Sequence, residues 1–223
     1  MAELDHIFIC VSEGGTEASN ALKAFGLSEG KPNEHPGQGT ACRRFSFRNG
    51  YVELLWVTNQ AEAQSEAIRP TYLWERWVGR TGGACPFGFG FRPGVDPALG
   101  PPFPAWEYRP PYLPEPWSFQ VATNATVRSE PMLFYLPFLP QPGARPKAER
   151  QRADHAIGLR EITRVEMFSP SIEDLSPALK GVVSAGLVKI RQAKEYLVEV
   201  GFDGESLGRS ADCRPSLPLV LRW

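Results

Sequence analysis

Two residues in the first sixty of this 223-residue chain stand where apolar residues are expected. His6 lies in Leu4-Asp5-His6-Ile7-Phe8-Ile9-Cys10-Val11, which reads as a strand. Asp5, Ile7, Ile9 and Val11 fall on one face, and His6, Phe8 and Cys10 on the other. Glu53 is the sole charge in Tyr51-Val52-Glu53-Leu54-Leu55-Trp56-Val57. Burying a lone carboxylate is very costly, so Glu53 must pair or face a cleft. Its partner could be a metal, Arg43 or Arg164. A packed strand histidine with one satisfied nitrogen is the plainer reading of His6, and an ion pair the plainer reading of Glu53. His35 precedes the turn Pro36-Gly37-Gln38-Gly39 and suits either loop shaping or a pocket rim. Arg43 and Arg44 point to opposite faces of one strand, so one is expected inward and the other solvated. Arg164 and Glu166 share a face, as a cleft-lining or a surface pair. His155 lies beside a polar stretch and is expected to be solvated.

These residues need elements to hold them. After the first strand, Thr16 is a plausible N-cap, Ala18, Ala21, Leu22 and Phe25 form a helical stripe, and Gly26 is a natural stop. A second strand-helix pair comes late. Ile162 to Phe168 is the strand, Ser176 caps, Pro177 starts the helix and Gly186 ends it. Both helices run into a Gly-Leu pair, which suggests a duplicated unit. Between them, Thr40 to Phe47 and Tyr51 to Val57 make a hairpin through Arg48-Asn49-Gly50. Asn59 to Val78 reads as helical, and Cys85 to Arg92 as a strand interleaved with glycines that permit close approach. Pro93 to Pro116 is too rich in proline for central strands. Ser118 to Ala122 and Met132 to Phe138 are further strands, and Gln141 to Asp154 is a surface linker. At the end, Leu187 to Lys194 and Tyr196 to Phe202 either form a hairpin or pair with Leu217 to Leu221. Pro215 and Pro218 mark that last strand as an edge.

The totals exclude several classes. The formal charge is −1 and no basic run is interleaved with aromatics, so no nucleic-acid partner is expected. No apolar run approaches a membrane span, and no leader pattern opens the chain. Cys10, Cys42, Cys85 and Cys213 form no C-x-x-C pair and read as reduced core thiols of a cytoplasmic protein. No phosphate-binding, dinucleotide or serine-nucleophile motif is present.

The order strand, helix, three strands resembles the βαβββ module of the vicinal oxygen chelate superfamily, and more narrowly its glyoxalase-like branch. Leu4-Asp5-His6, His35 to Ala41 and Tyr51-Val52-Glu53-Leu54 carry the resemblance, with weaker support from Leu136-Pro137-Phe138 and His155 to Val165. It implies an α+β fold whose repeated modules form a curved mixed sheet around a cleft, helices outside. The modules would be residues 1–58, a connecting and middle region at 59–140 that could be a degenerate module, and 155–223, all in one compact domain. It implies a divalent metal, iron, manganese, zinc or nickel, held by His6 and Glu53, since those positions match the first- and last-strand ligands. Glu53 would be catalytic, as ligand or proton-transfer base. Arg164 stands where His6 stands in the late unit, and a guanidinium cannot ligate a metal. Only Tyr135 could add a donor from the middle region. Two readings follow. One is an enzyme of the glyoxalase type, a metal-dependent lyase, isomerase or dioxygenase acting on a small oxygenated metabolite. The other is a metal-free protein that binds or sequesters such a molecule, with His35, Arg43, Arg164 and Tyr135 lining the pocket. The reading leaves room for a homodimer.

Overall fold

The computed structural model describes residues 1–140 and 154–223, so most of the expected linker lies outside the described residues. The fold is α+β; the described residues form thirteen strands in two mixed sheets, with no closed barrel among them. The first sheet contains β1 (Glu3–Cys10), β2 (Asn33–His35), β3 (Thr40–Ser46) and β4 (Tyr51–Val57). It continues with β5 (Phe87–Arg92), β6 (Ala105–Tyr108), β7 (Phe119–Ala122) and β8 (Met132–Tyr135). Helix α1 (Thr16–Ala24) connects β1 to β2, and α2 (Gln60–Ala63) and α3 (Leu73–Val78) lie between β4 and β5.

The strand order is β2-β3-β4-β1-β5-β8-β7-β6. Its two halves repeat one pattern: the opening strand lies parallel to the closing one, β1 with β4 and β5 with β8. The halves meet where β1 and β5 pair antiparallel, Ile7 opposite Phe89. The middle region therefore supplies the strand order that matches the first module. β6 forms inside the proline-rich stretch, as the far edge strand, where missing N–H groups cost the ladder least.

The second sheet holds β9 (Ile162–Ser169), β10 (Lys189–Gln192), β11 (Leu197–Phe202), β12 (Ser210–Asp212) and β13 (Leu219–Arg222). Helix α4 (Pro177–Ser184) follows β9, with the Ser176 hydroxyl accepting from Leu179 N at 3.2 Å. Both long helices stop the same way. Gly26 and Gly186 take φ of 87° and 70°, and the N–H of Leu27 and of Leu187 returns to Leu22 O and Val182 O, each at 3.2 Å. Beyond this point the likeness ends. The order is β10-β9-β11-β13-β12, so the late unit does not close as the first does. β10 and β11 form no hairpin; β11 pairs with the final strand. That final strand is interior, covered by β12, because Pro215 and Pro218 both fall before its first paired residue.

One face of the large sheet is the back. Ile7, Ile9, Phe45, Val52, Leu54, Phe87, Phe89 and Phe91 pack there with Ala18 and Leu22 of α1 and with Val165, Met167, Val200 and Phe202 of the second sheet. Val165 and Met167 of β9 are buried in the same core as Leu179 and Val182 of α4, whereas Val183 is only partly buried. His155 ties the segment before β9 to the first sheet and is buried, not solvated. Its Nδ1 accepts from Ser28 N at 2.9 Å, which leaves the proton on Nε2 to donate to Ser46 O at 3.0 Å. The ring also packs on Phe47.

Two outcomes follow from this packing. On β5 the glycines face forward: a Cβ at Gly88 would stand 2.1 Å from the Phe8 ring, and one at Gly90 2.6 Å from His6 Cε1. Gly90→Ala is expected to destabilise the protein by about 1–3 kcal/mol through overpacking, read as a lower denaturation midpoint. Burial holds the His155 imidazole below its usual pKa, so the folded state binds fewer protons than the unfolded. That part of the stability is whole above about pH 6.5 and is lost as the pH falls below it. Denaturation midpoints compared at pH 7.5 and 5.5 should show this loss, and His155→Asn should reduce it.

Candidate functional site

The forward face of the large sheet forms a cleft. Its floor is set by alternation. His6 and Phe8 come from β1, Asn33 and His35 from β2, Arg44 from β3, and Tyr51, Glu53 and Leu55 from β4. Met132, Phe134 and Leu136 come from β8 and the segment after it, Phe119 from β7 and Tyr108 from β6, with Gln38, Leu73 and Tyr112 at the sides. The two walls differ in chemistry. The first half gives imidazole, guanidinium, carboxylate, amide and phenol groups; the second gives mostly aromatic and aliphatic surface.

The strand register places the polar groups in a row. His35 pairs with Thr40, Cys42 with Leu55, Arg44 with Glu53, and Tyr51 with both Ser46 and His6. Moving from β2 to β3, β4 and β1, each step advances two residues, so His35, Cys42, Glu53 and His6 form one diagonal across four strands. Diagonal neighbours lie about 7–8 Å apart at the backbone, within reach of long side chains. The donor atoms of His35, Cys42 and Glu53 all lie within 4.8 Å of one another, and all three residues are buried. His6 lies at the end of the row, outside that group.

Each imidazole is fixed from behind. His35 Nδ1 lies 2.9 Å from Thr40 Oγ1, which also accepts from Gln38 Nε2, whose carbonyl oxygen accepts from the Tyr108 hydroxyl at 2.8 Å. His6 Nδ1 lies 2.9 Å from Asp5 Oδ2, and the other oxygen of Asp5 accepts from Arg92 Nη1 at 2.8 Å. The His6 ring stacks on Tyr51 at 4.3 Å and meets the edge of Phe134 at 5.1 Å. The backward-facing side chain of β1 thus supports the forward-facing one next to it. Burial lowers the His35 pKa, so the ring is neutral. Burial, reinforced by the nearby Glu53 carboxylate, pushes the Cys42 thiol and the Tyr51 phenol upward, so both keep their protons.

The other expected lining residues lie elsewhere. Arg43 points to the back of β3, where Nε donates to Gly14 O at 2.7 Å and Nη1 to Glu29 at 2.6 Å. Its neighbour Arg44 enters the cleft instead, opposite Glu53. Arg164 belongs to the second sheet, ion-paired with Glu166 at 2.6 Å, Glu205 at 2.5 Å and Glu199 at 3.4 Å. Tyr135 is in the back core, its phenol pushed up in pKa by burial. Of the expected set, the cleft gathers His6, His35 and Glu53; it adds Arg44, Tyr51, Tyr108 and Tyr112, with Cys42 beneath. Arg44 was within reach of counting, because the Asn49-Gly50 turn fixes Arg44 opposite Glu53. For Tyr108 and Tyr112, inside the proline-rich stretch, the sequence carried no signal.

Fold and cleft together define a β-sheet protein with two halves related by strand order and a polar row held by one of them. Residues 4–85, which span that polar half, match a family described as glyoxalase-like domain. Among solved structures, a hypothetical protein from Staphylococcus aureus superposes with a TM-score of 0.54 at 13% identity, covering 100% of this chain and 98% of its own. That likeness concerns the fold alone. A hypothetical protein from Bacillus halodurans C-125 gives a TM-score of 0.39 at 12% identity over 63% of this chain and 96% of its own, too slight to bear on the fold. No curated protein matches the chain.

The Asp5 carboxylate joins the His6 imidazole and the Arg92 guanidinium, all three buried. Asp5→Ala is expected to cost about 3–5 kcal/mol, because it removes the close carboxylate partner of a buried guanidinium and leaves the more distant Glu3 at 3.9 Å. Urea denaturation checks the size of the effect.

Proposed function

We propose that the cleft takes a small oxygenated molecule with an apolar body and that Glu53 and His35 handle its polar end. The division of the cleft into a polar wall and an apolar wall is the observation that carries this reading. A ligand lying across the β1–β5 seam would set its oxygens against Arg44, Tyr51, His6 and Glu53, and its body against Phe119, Met132 and Phe134. A carbon acid next to a carbonyl is the substrate class that such a wall suits. Glu53 would take the proton, and Arg44, which faces it, would stabilise the oxygen that gains charge. Such an arrangement would suit a lyase or isomerase step of the glyoxalase type.

The family likeness also implies a divalent metal, and the donors for one come from the first half alone. On the forward face, the opening and closing strands of the second half present Gly88, Gly90, Met132 and Phe134. His6 and Glu53 therefore have no counterparts there, and Glu53 is the carboxylate that would hold an ion. Such an ion would act as a Lewis acid on a carbonyl or enediolate oxygen. The same missing counterparts favour the second reading, a metal-free protein that binds its ligand without turning it over. The four cysteines are free and buried, which supports a reducing compartment such as the cytoplasm.

2-Hydroxyacetophenone, an α-hydroxyketone with a phenyl body, tests the proposal against hydroxyacetone, which lacks the ring. Burying the ring is worth about 1.5–3 kcal/mol, so the aryl compound should bind about tenfold or more tightly, and Phe134→Ala should remove most of that gain. In D2O the protein should exchange the hydroxymethyl protons, and Glu53→Gln should stop the exchange. Binding without exchange selects the sequestering reading, and no preference for the aryl compound overturns the two-wall proposal.

A further inference from the structure

We infer that His35, Cys42 and Glu53 form a metal site for a zinc-type ion, with His6 outside the coordination sphere. This deepens the reading of the cleft by naming its metal and its ligands, and it moves the ligand set away from the His6 and Glu53 pair expected from the sequence.

Four observations lead there. The first is proximity: imidazole, thiol and carboxylate donors lie within 4.8 Å of one another. Donors around a tetrahedral zinc ion stand about 3.3–3.7 Å apart, so closing onto an ion asks for side-chain movements of about 1 Å. The second is burial, since all three residues are withdrawn from solvent and Cys42 wholly so.

The third observation is what Glu53 lacks. Two arginines could have neutralised it from the sequence alone. Arg43 is tied to Glu29 and Gly14, and Arg164 to three glutamates of the other sheet. Among the described residues Glu53 forms no ion pair, although Arg44 stands across from it. A buried carboxylate beside a thiol and an imidazole is an arrangement that a cation completes.

The fourth is the support behind His35. Its Nδ1 is engaged by Thr40, and Thr40 by Gln38, so one ring nitrogen is fixed and the other, Nε2, is left over. Metal-binding histidines are held in this way. His6 is also held from behind, by Asp5, but its donor atoms lie outside the group that His35, Cys42 and Glu53 form.

The donor types select the metal. A thiolate with an imidazole and a carboxylate suits zinc, and disfavours manganese, which prefers oxygen. On binding, the Cys42 thiol gives its proton to the buffer as the sulfur–metal bond forms, and the histidine enters neutral. Three protein ligands leave a fourth position for water or a ligand oxygen in the cleft, the pattern of a catalytic rather than a structural zinc site.

Cobalt(II) substitutes for zinc and reports its ligands by absorption. The full chain, stripped with chelator and titrated with cobalt(II), should bind one ion. It should then show a sulfur-to-cobalt charge-transfer band in the near ultraviolet, with visible bands of tetrahedral intensity. Zinc(II) should bleach both. Cys42→Ser should lose the charge-transfer band, and Cys42→Ser, His35→Gln and Glu53→Gln should each weaken binding about tenfold or more, while His6→Ala keeps band and affinity. Melting curves confirm that the variants are folded. Absence of the charge-transfer band in the unmutated chain overturns the proposal, whether or not any variant folds. So does a band that survives Cys42→Ser or is lost in His6→Ala. If cobalt does not bind while 2-hydroxyacetophenone still does, the metal proposal fails alone and the cleft reading stands.

Discussion

The architecture depends on the antiparallel seam between β1 and β5. At that seam two side chains need the space above a neighbouring strand, and the neighbour yields it. Gly88 and Gly90 leave β5 bare on its forward face, so the rings of Phe8 and His6 lie over its backbone. On the other face of the same strand Phe87, Phe89 and Phe91 are fully buried. A strand that is aromatic behind and empty in front does two things at once: it anchors the large sheet on the second one, and it lets the two halves of the large sheet share a floor. The glycines give up strand propensity, and six paired residues between two other strands make that tolerable.

The seam also governs the electrostatics. Asp5 and His6 are adjacent and point to opposite faces, yet they touch, because the ladder is irregular between Leu4 and His6. That irregularity lets one carboxylate serve the His6 ring and Arg92 together. In the second sheet, by contrast, Arg164, Glu166, Glu199, Glu205 and Arg222 satisfy one another in a network that runs from the buried Glu166 to the solvent. Such partly exposed pairs are worth little individually but fix the register of β9 against β11.

Much of this could be read from the chain, and the failures have physical causes. Alternation gave the two faces of β1 and β9, since each has one face in a dry core. The hairpin between β3 and β4 followed from Asn49-Gly50. Strand order in the last unit did not follow, because βαβββ and its relatives share the same sequence of elements and differ only in which ladder closes. β12 is three residues long and carries no periodicity of its own. Arg43 and Arg44 were one residue from a correct assignment, and only the register settles which of them enters the cleft. His155 looked like a linker residue because its partners, Ser28 and Ser46, are more than a hundred positions away. Cys42 was read as a core thiol, and it is buried; its place beside Glu53 and His35 appears only when three strands are laid side by side.

The unequal sharing of the cleft has a consequence for how such a protein can change. All the titrating groups of the diagonal row come from four strands within the first 57 residues, while the opposite wall is built from segments beyond residue 100. Substitutions at Phe119 or Met132 alter the size and shape of what fits without touching the row that would handle its oxygens. Selection acting on ligand choice and selection acting on reactivity thus fall on separate stretches of the gene, and either can drift while the other is held.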